Sequence, residues 1–137
     1  MKPTKRVLIA CLILPLLTAC VTREQADAKL ANGCKAGVET LLEEGQTIDK
    51  ATPAFDSPEP GLRHVILTAY LKDDPETPYK YECVFEETFG PMNSSHNAMI
   101  SRVQAGDKIL GKAGDQIEGD AEDFIKLDNA VAKGMGG

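Results

Sequence analysis

The chain has 137 residues, enough for one domain. It carries 15 Lys+Arg against 21 Asp+Glu, a formal net charge of −6, with 5% aromatic residues and no Trp. That balance excludes a nucleic-acid-binding surface, which needs clustered positive charge. It also argues against a binding face built on aromatic stacking.

The first segment differs from the rest. Lys2, Lys5 and Arg6 form a positive start, and Val7–Leu17 (VLIACLILPLL) is an almost unbroken apolar run. The run is shorter than the roughly 20 residues a helix needs to span a bilayer. Pro15 interrupts a continuous helix there, and small residues precede Cys20. A positive start, a short apolar run and small residues are the three parts of an export signal.

Leu17-Thr18-Ala19-Cys20 resembles the lipobox of bacterial lipoproteins, which is an aliphatic residue, two small residues and an obligatory cysteine. The resemblance covers residues 1–20. It implies a signal peptide over 1–19, a diacylglyceryl group on the sulfur of Cys20, cleavage between Ala19 and Cys20, and acylation of the new amine. The remaining 20–137 would be a single mature domain, with 20–23 as its lipid-anchored tether. The implied address is the cell envelope, with the membrane as a partner through the lipid. Residue 21 is Val. Asp after the cysteine retains enterobacterial lipoproteins in the inner membrane, so the expected place is the outer membrane, facing the periplasm.

Without the three cations of residues 1–19, the other 118 residues hold 12 Lys+Arg against 21 Asp+Glu, a net charge of −9. Such a surface repels anionic membranes as well as nucleic acid. The acyl chains would then do the anchoring, at about 0.8 kcal/mol per buried methylene.

Of four cysteines, Cys11 falls in the signal and Cys20 is assigned to lipid. Cys34 and Cys83 are left. An even pair in an oxidising compartment reads as a disulfide. The competing reading is a metal site using Cys34, Cys83, His64 and His96, but no two of them stand at ligand spacing. No metal or cofactor is expected.

In chain order, Thr22 and Gln25 fit a capping box. From Arg23 to Glu44, Ala26, Leu30, Cys34, Val38, Leu41 and Leu42 recur at steps of three and four, which predicts a helix. Gly45 stands where a C-cap belongs. Gly33 and Gly37 weaken the helix by about 1 kcal/mol each, and a close approach by another backbone would explain them. Gln46–Phe55 reads as a first strand, with Pro53 suggesting an edge or an end. Asp56–Gly61 is a turn.

Leu62–Leu71 reads as a central strand with Val65, Leu67, Ala69 and Leu71 on one face. Tyr79–Phe89 alternates, with Tyr81, Cys83, Phe85 and Phe89 on one face and Val84 as the exception. The two runs make a hairpin. Cys34 and Cys83 both lie on apolar stripes, so the disulfide requires the first helix to pack over this strand.

After Gly90-Pro91 the pattern blurs. Ala98–Val103 fits a strand or a helical turn, and Lys108–Gly111 is too short to assign. The glycines at 106, 111, 114 and 119 suggest turns and short strands. Asp120 can cap a last helix with Asp123 in its first turn. Phe124, Leu127 and Val131 would face inward, and Gly134–Gly137 would end the helix. The expected fold class is α+β: an N-terminal helix, an antiparallel meander of three or more strands, and a C-terminal helix on one face.

No catalytic residue is assigned. Asp73-Asp74, Glu86-Glu87 and Asp120-Glu122-Asp123 sit in a turn, on a strand's polar side and at a helix start, where solubility and the helix dipole explain them. Glu87 is the exception, because parity puts it on the apolar face; the simpler reading is a strand end near solvent. Ser94-Ser95-His96 lacks a nucleophile elbow. His64 and His96 read as surface or partly buried polar residues. Gly111-Lys112-Ala113-Gly114 lacks the context of a phosphate loop.

The expected function is a non-enzymatic binding or structural accessory module with a protein partner in the envelope. The general plan is similar to that of small outer-membrane lipoproteins that act as accessory or assembly subunits. The charge of −9 motivates the alternative, an inhibitor or sequestering protein for a cationic envelope-active enzyme such as a lysozyme.

Overall fold

The computed structural model describes residues 20–136. The expected signal segment, with Ala19 on one side of the cleavage point, lies outside the described residues, as does Gly137.

Helix α1 spans Arg23–Glu39 and opens with the expected box. The Thr22 hydroxyl accepts from the Gln25 amide, and the Gln25 side chain accepts from the Thr22 amide. Ala26, Leu30, Cys34 and Val38 are fully buried along one stripe. The helix ends earlier than the Gly45 cap suggested. Thr40 Oγ1 turns back to donate to the Gly37 carbonyl at 2.7 Å, the kind of local bond that competes with helix continuation. Leu41 and Leu42 therefore reach the core from the turn beyond the helix. The Val21 amide donates to the Asn93 carbonyl at 2.8 Å, and Arg23 is already helical.

Six antiparallel strands follow as a meander in the order β1-β2-β3-β4-β5-β6. They are β1 Ile48–Asp56, β2 Leu62–Leu71, β3 Tyr79–Phe89, β4 His96–Ala105, β5 Lys108–Ala113 and β6 Gln116–Glu118. Helix α2, Ala121–Gly134, closes the chain, with the Asp120 side chain accepting from the Glu122 amide as its N-cap. β1 is an edge strand, as Pro53 suggested, and Asp49 is an extra residue between Ile48 and Lys50 in its pairing with β2. In the β2–β3 pair, Val65 stands opposite Cys83 and Leu67 opposite Tyr81, all four buried.

The alternation fails in β4 because of a bulge. Val84 pairs with Arg102 but Phe85 pairs with Ile100, which leaves Ser101 as an extra residue. The inward set changes parity there, from Val103 and Ala105 on one side to Ile100, Ala98 and His96 on the other. Gly111, opposite Arg102 on β5, accommodates the bulge. It has φ +111, and a Cβ there would collide with the Ser101 carbonyl and lie 3.0 Å from the Arg102 Cα. No side chain fits that position.

Both helices cover the same face of the sheet. Cys34 on α1 is bonded to Cys83 on β3, with Cα atoms 5.7 Å apart, so the first helix does pack over the third strand. α2 lies against α1 through the small residues. A Cβ on Gly37 would stand 2.7 Å from Val131 Cγ2, and one on Gly134 would stand 2.8 Å from the Asn32 carbonyl. The glycines that weaken α1 thus admit a second helix. No helix among the described residues is long and apolar enough to cross a membrane.

Candidate functional site

The densest chemistry sits where α1 begins. Arg23, its first residue, grips Glu87 near the end of β3 with both guanidinium nitrogens, at 2.6 Å to Oε1 and 2.9 Å to Oε2. His96, the first residue of β4, places Nε2 2.8 Å from Glu87 Oε2. An ionised carboxylate only accepts, so that ring nitrogen carries the shared proton. Arg23 also meets Asp27 one turn on, at 2.8 Å. Asp27 in turn accepts from Arg63 on β2 at 3.0 and 2.6 Å. Five charged or titratable side chains therefore run in one line from β2 through α1 to β3 and β4.

Burial and aromatic neighbours strengthen this line. The side chains of His96 and Glu87 are 3% and 8% exposed. Arg23 lies 5.1 Å over the Phe89 ring, and Arg63 lies 5.3 Å over Phe55. Burial alone pushes the Glu87 carboxyl upward. The hydrogen bonds and charges of Arg23 and His96 outweigh it and hold Glu87 below the usual carboxylate range. The bond to Glu87 raises the Arg23 guanidinium further.

Glu87 is therefore not the strand end near solvent that the simpler reading held, and His96 is the partly buried polar residue of the two expected alternatives, with its side chain enclosed. The start of α1 covers both strand ends on the inward face of the sheet, and the charges there are paired instead of hydrated. Strand parity was the one signal for Glu87. Arg23, Asp27 and Arg63 were missed as a set. The Arg23/Asp27 spacing of four was the only local sign, since the pairing with Arg63 is set by how the helix crosses the sheet.

The other sequence candidates are dispersed. Cys20 is exposed and unbonded. His64 lies 3.3 Å from Glu82, which also accepts from Arg102, on the uncovered face. With Cys34 and Cys83 joined to each other, the four residues of the competing metal reading do not converge. The Tyr79 hydroxyl donates to Asp74, which is held below the usual range by that bond. Ser94 caps the short 3-10 turn Pro91–Asn93. Gly111–Gly114 form the end of β5 and its turn.

Two shallow grooves lie along β3 and β4, the first beside Glu87 of the charged line. One, of about 450 Å³, runs from Gly61 and Leu62 past Glu87 to Ala98 and Met99. The other, of about 280 Å³, is lined largely by Met99, Ile100, Ile117 and Phe124, with Glu86 and Lys112 at its side. Met99 and Ile117 are 67% and 73% exposed there, an apolar surface on an otherwise acidic molecule.

The chain matches no protein-family model, no curated protein and no solved structure.

The Arg23–Glu87–His96 group is built as a clamp. Both Glu87 oxygens are occupied, and a carboxylate of lowered basicity is a weak proton acceptor. Paired and enclosed charges of this kind fix geometry. What they fix is the start of α1, and with it the position of Cys20.

Proposed function

We propose that this protein is a lipid-anchored bacterial envelope lipoprotein, carrying its lipid on Cys20 and acting as a non-enzymatic binding or structural accessory module. The observation that carries the reading is the conjunction at Cys20. A lipobox-like Leu17-Thr18-Ala19 precedes it, and an ordered, capped and clamped helix begins three residues later, at Arg23. A disulfide between Cys34 and Cys83 fits an oxidising compartment. The apolar groove at Met99, Ile117 and Phe124 supports a protein-binding face. With Val at position 21, the outer membrane facing the periplasm is the proposed address.

Labelling with radioactive palmitate tests the anchor. The chain should incorporate label, and Cys20→Ser should incorporate none and accumulate as precursor or soluble protein. Equal label in both would end the reading. Fractionation with inner-membrane markers would refute the address.

The charge of −9 on residues 20–137 favours a second reading, an acidic inhibitor of a cationic envelope-active enzyme such as a lysozyme. Pull-down from envelope extract separates the two. An assembly component supports the accessory role, and a secreted cationic enzyme supports the inhibitor.

A further inference from the structure

The start of α1 does not stand alone at its end of the molecule. The Val21 amide is bonded to the Asn93 carbonyl, which lays the β3–β4 turn, Gly90–Ser95, beside Cys20. Only Val21 and Thr22 separate Cys20 from the first helical residue, a reach of about 10 Å even fully extended. A group attached to Cys20 therefore stays next to this turn. The clamp of Arg23 on Glu87 removes the remaining freedom of the helix start.

The turn has the composition of a surface contact. Gly90-Pro91-Met92-Asn93-Ser94-Ser95 contains no charged residue, in a domain that is otherwise strongly acidic. Met92 is 90% exposed, the most exposed large apolar side chain of the described residues. Its backbone is held at φ +56, as is that of Asn93, a region where a methionine is uncommon. At the same end of the sheet, Asp56 ends β1 and Glu59 lies in the β1–β2 turn, charges which an anionic surface rejects.

We infer that the Gly90–Ser95 turn is a second membrane contact, with the Met92 side chain entering the headgroup boundary of the lipid bilayer that holds Cys20. The inference rests on the reading of Cys20 as lipid-bearing. The occupant is a bilayer because the turn adjoins the attachment point, is uncharged, and presents one flexible apolar side chain where the anchor leaves no slack. The acidic β1–β2 turn is held away, so the domain leans on β3 and β4.

The test uses the acylated full protein, in which Cys20 is blocked and Cys34–Cys83 oxidised. Met92→Cys, Pro58→Cys and Lys108→Cys each supply one thiol for an environment-sensitive fluorophore. In vesicles of phosphatidylethanolamine and phosphatidylglycerol, the probe at 92 should shift to the blue and be quenched by nitroxide lipids. Probes at 58 and 108 should do neither. A probe at Ser94 removes the objection that the label itself inserts; it should show the shift with Met92 present and lose it in Met92→Asp. Solvent-like emission at 92, or an unchanged signal at 94 in Met92→Asp, overturns the inference while leaving the anchor intact. Mass spectrometry showing an unmodified Cys20 would remove the anchor, and the inference with it.

Discussion

Glu87 and His96 meet at 2.8 Å on the covered face of the sheet, nine residues apart across the β3–β4 turn. Their pairing brings the end of β3 and the start of β4 under the first turn of α1, where Arg23 completes the clamp. Removing the charge of Glu87 should therefore be felt well beyond its own position. Glu87→Gln should lower the unfolding free energy by about 1–3 kcal/mol, since it leaves the buried His96 and the partly exposed Arg23 without their common charged partner. Thermal or urea unfolding of the soluble domain measures this, and a change under 0.5 kcal/mol, the size of an ordinary surface substitution, would refute the clamp.

The same residue gives the fold an acid limit. The Glu87 carboxyl lies below its ordinary value in the folded state. Its stabilising contribution is thus complete above the unfolded value of about 4.3. It is lost as pH falls through the lowered folded-state value. The stability gap between the native sequence and Glu87→Gln should close progressively as pH falls below that point. Urea titrations at a series of pH values would show the convergence, and a gap that persists at the acid end would contradict it.

The Cys34–Cys83 bond closes a loop of 49 residues in sequence. Replacing both cysteines by serine should lower stability by roughly 2–5 kcal/mol, read as a drop in melting temperature. The periplasmically expressed domain should show no free thiol at 34 or 83 by non-reducing mass spectrometry.

Gly37 tests the packing of the two helices. Alanine there gains about 1 kcal/mol of helix propensity. Its methyl, however, would lie 2.7 Å from Val131 Cγ2 and 2.9 Å from Leu127 Cδ1. Overpacking of that kind typically costs about 1–3 kcal/mol. Gly37→Ala should therefore be net destabilising in equilibrium unfolding, whereas a helix that merely tolerates glycine would be stabilised by the change.

Periodicity in the sequence reads α1, β2, β3 and α2 well because each presents a single face to one core. The expected α+β class, the first helix over the third strand, and the disulfide all follow from those stripes. β4 was illegible for a specific reason. The extra residue at Ser101 shifts the inward set from odd to even positions, so neither parity describes the whole strand. β5 is short and owes Gly111 to that same bulge. The end of α1 was overestimated because Leu41 and Leu42 continue the stripe from a turn. The charged line was hidden for another reason. Its members come from four elements, and no local pattern announces which helix residue will meet which strand.

The position of the disulfide along α1 has a mechanical meaning. Any pull delivered at Cys20 enters the fold just before the first helical turn and is resisted first by the Val21–Asn93 hydrogen bond and then by the Arg23–Glu87 contact. If that yields, the helix can peel from the sheet only through residues 23–33, because Cys34 is covalently joined to an interior strand. The molecule therefore has a short, reversible yielding segment in front of a fixed stop. Tension at the N-terminus can loosen the first turns of α1 while the six strands, their register and the packing of α2 on the rest of the helix stay in place.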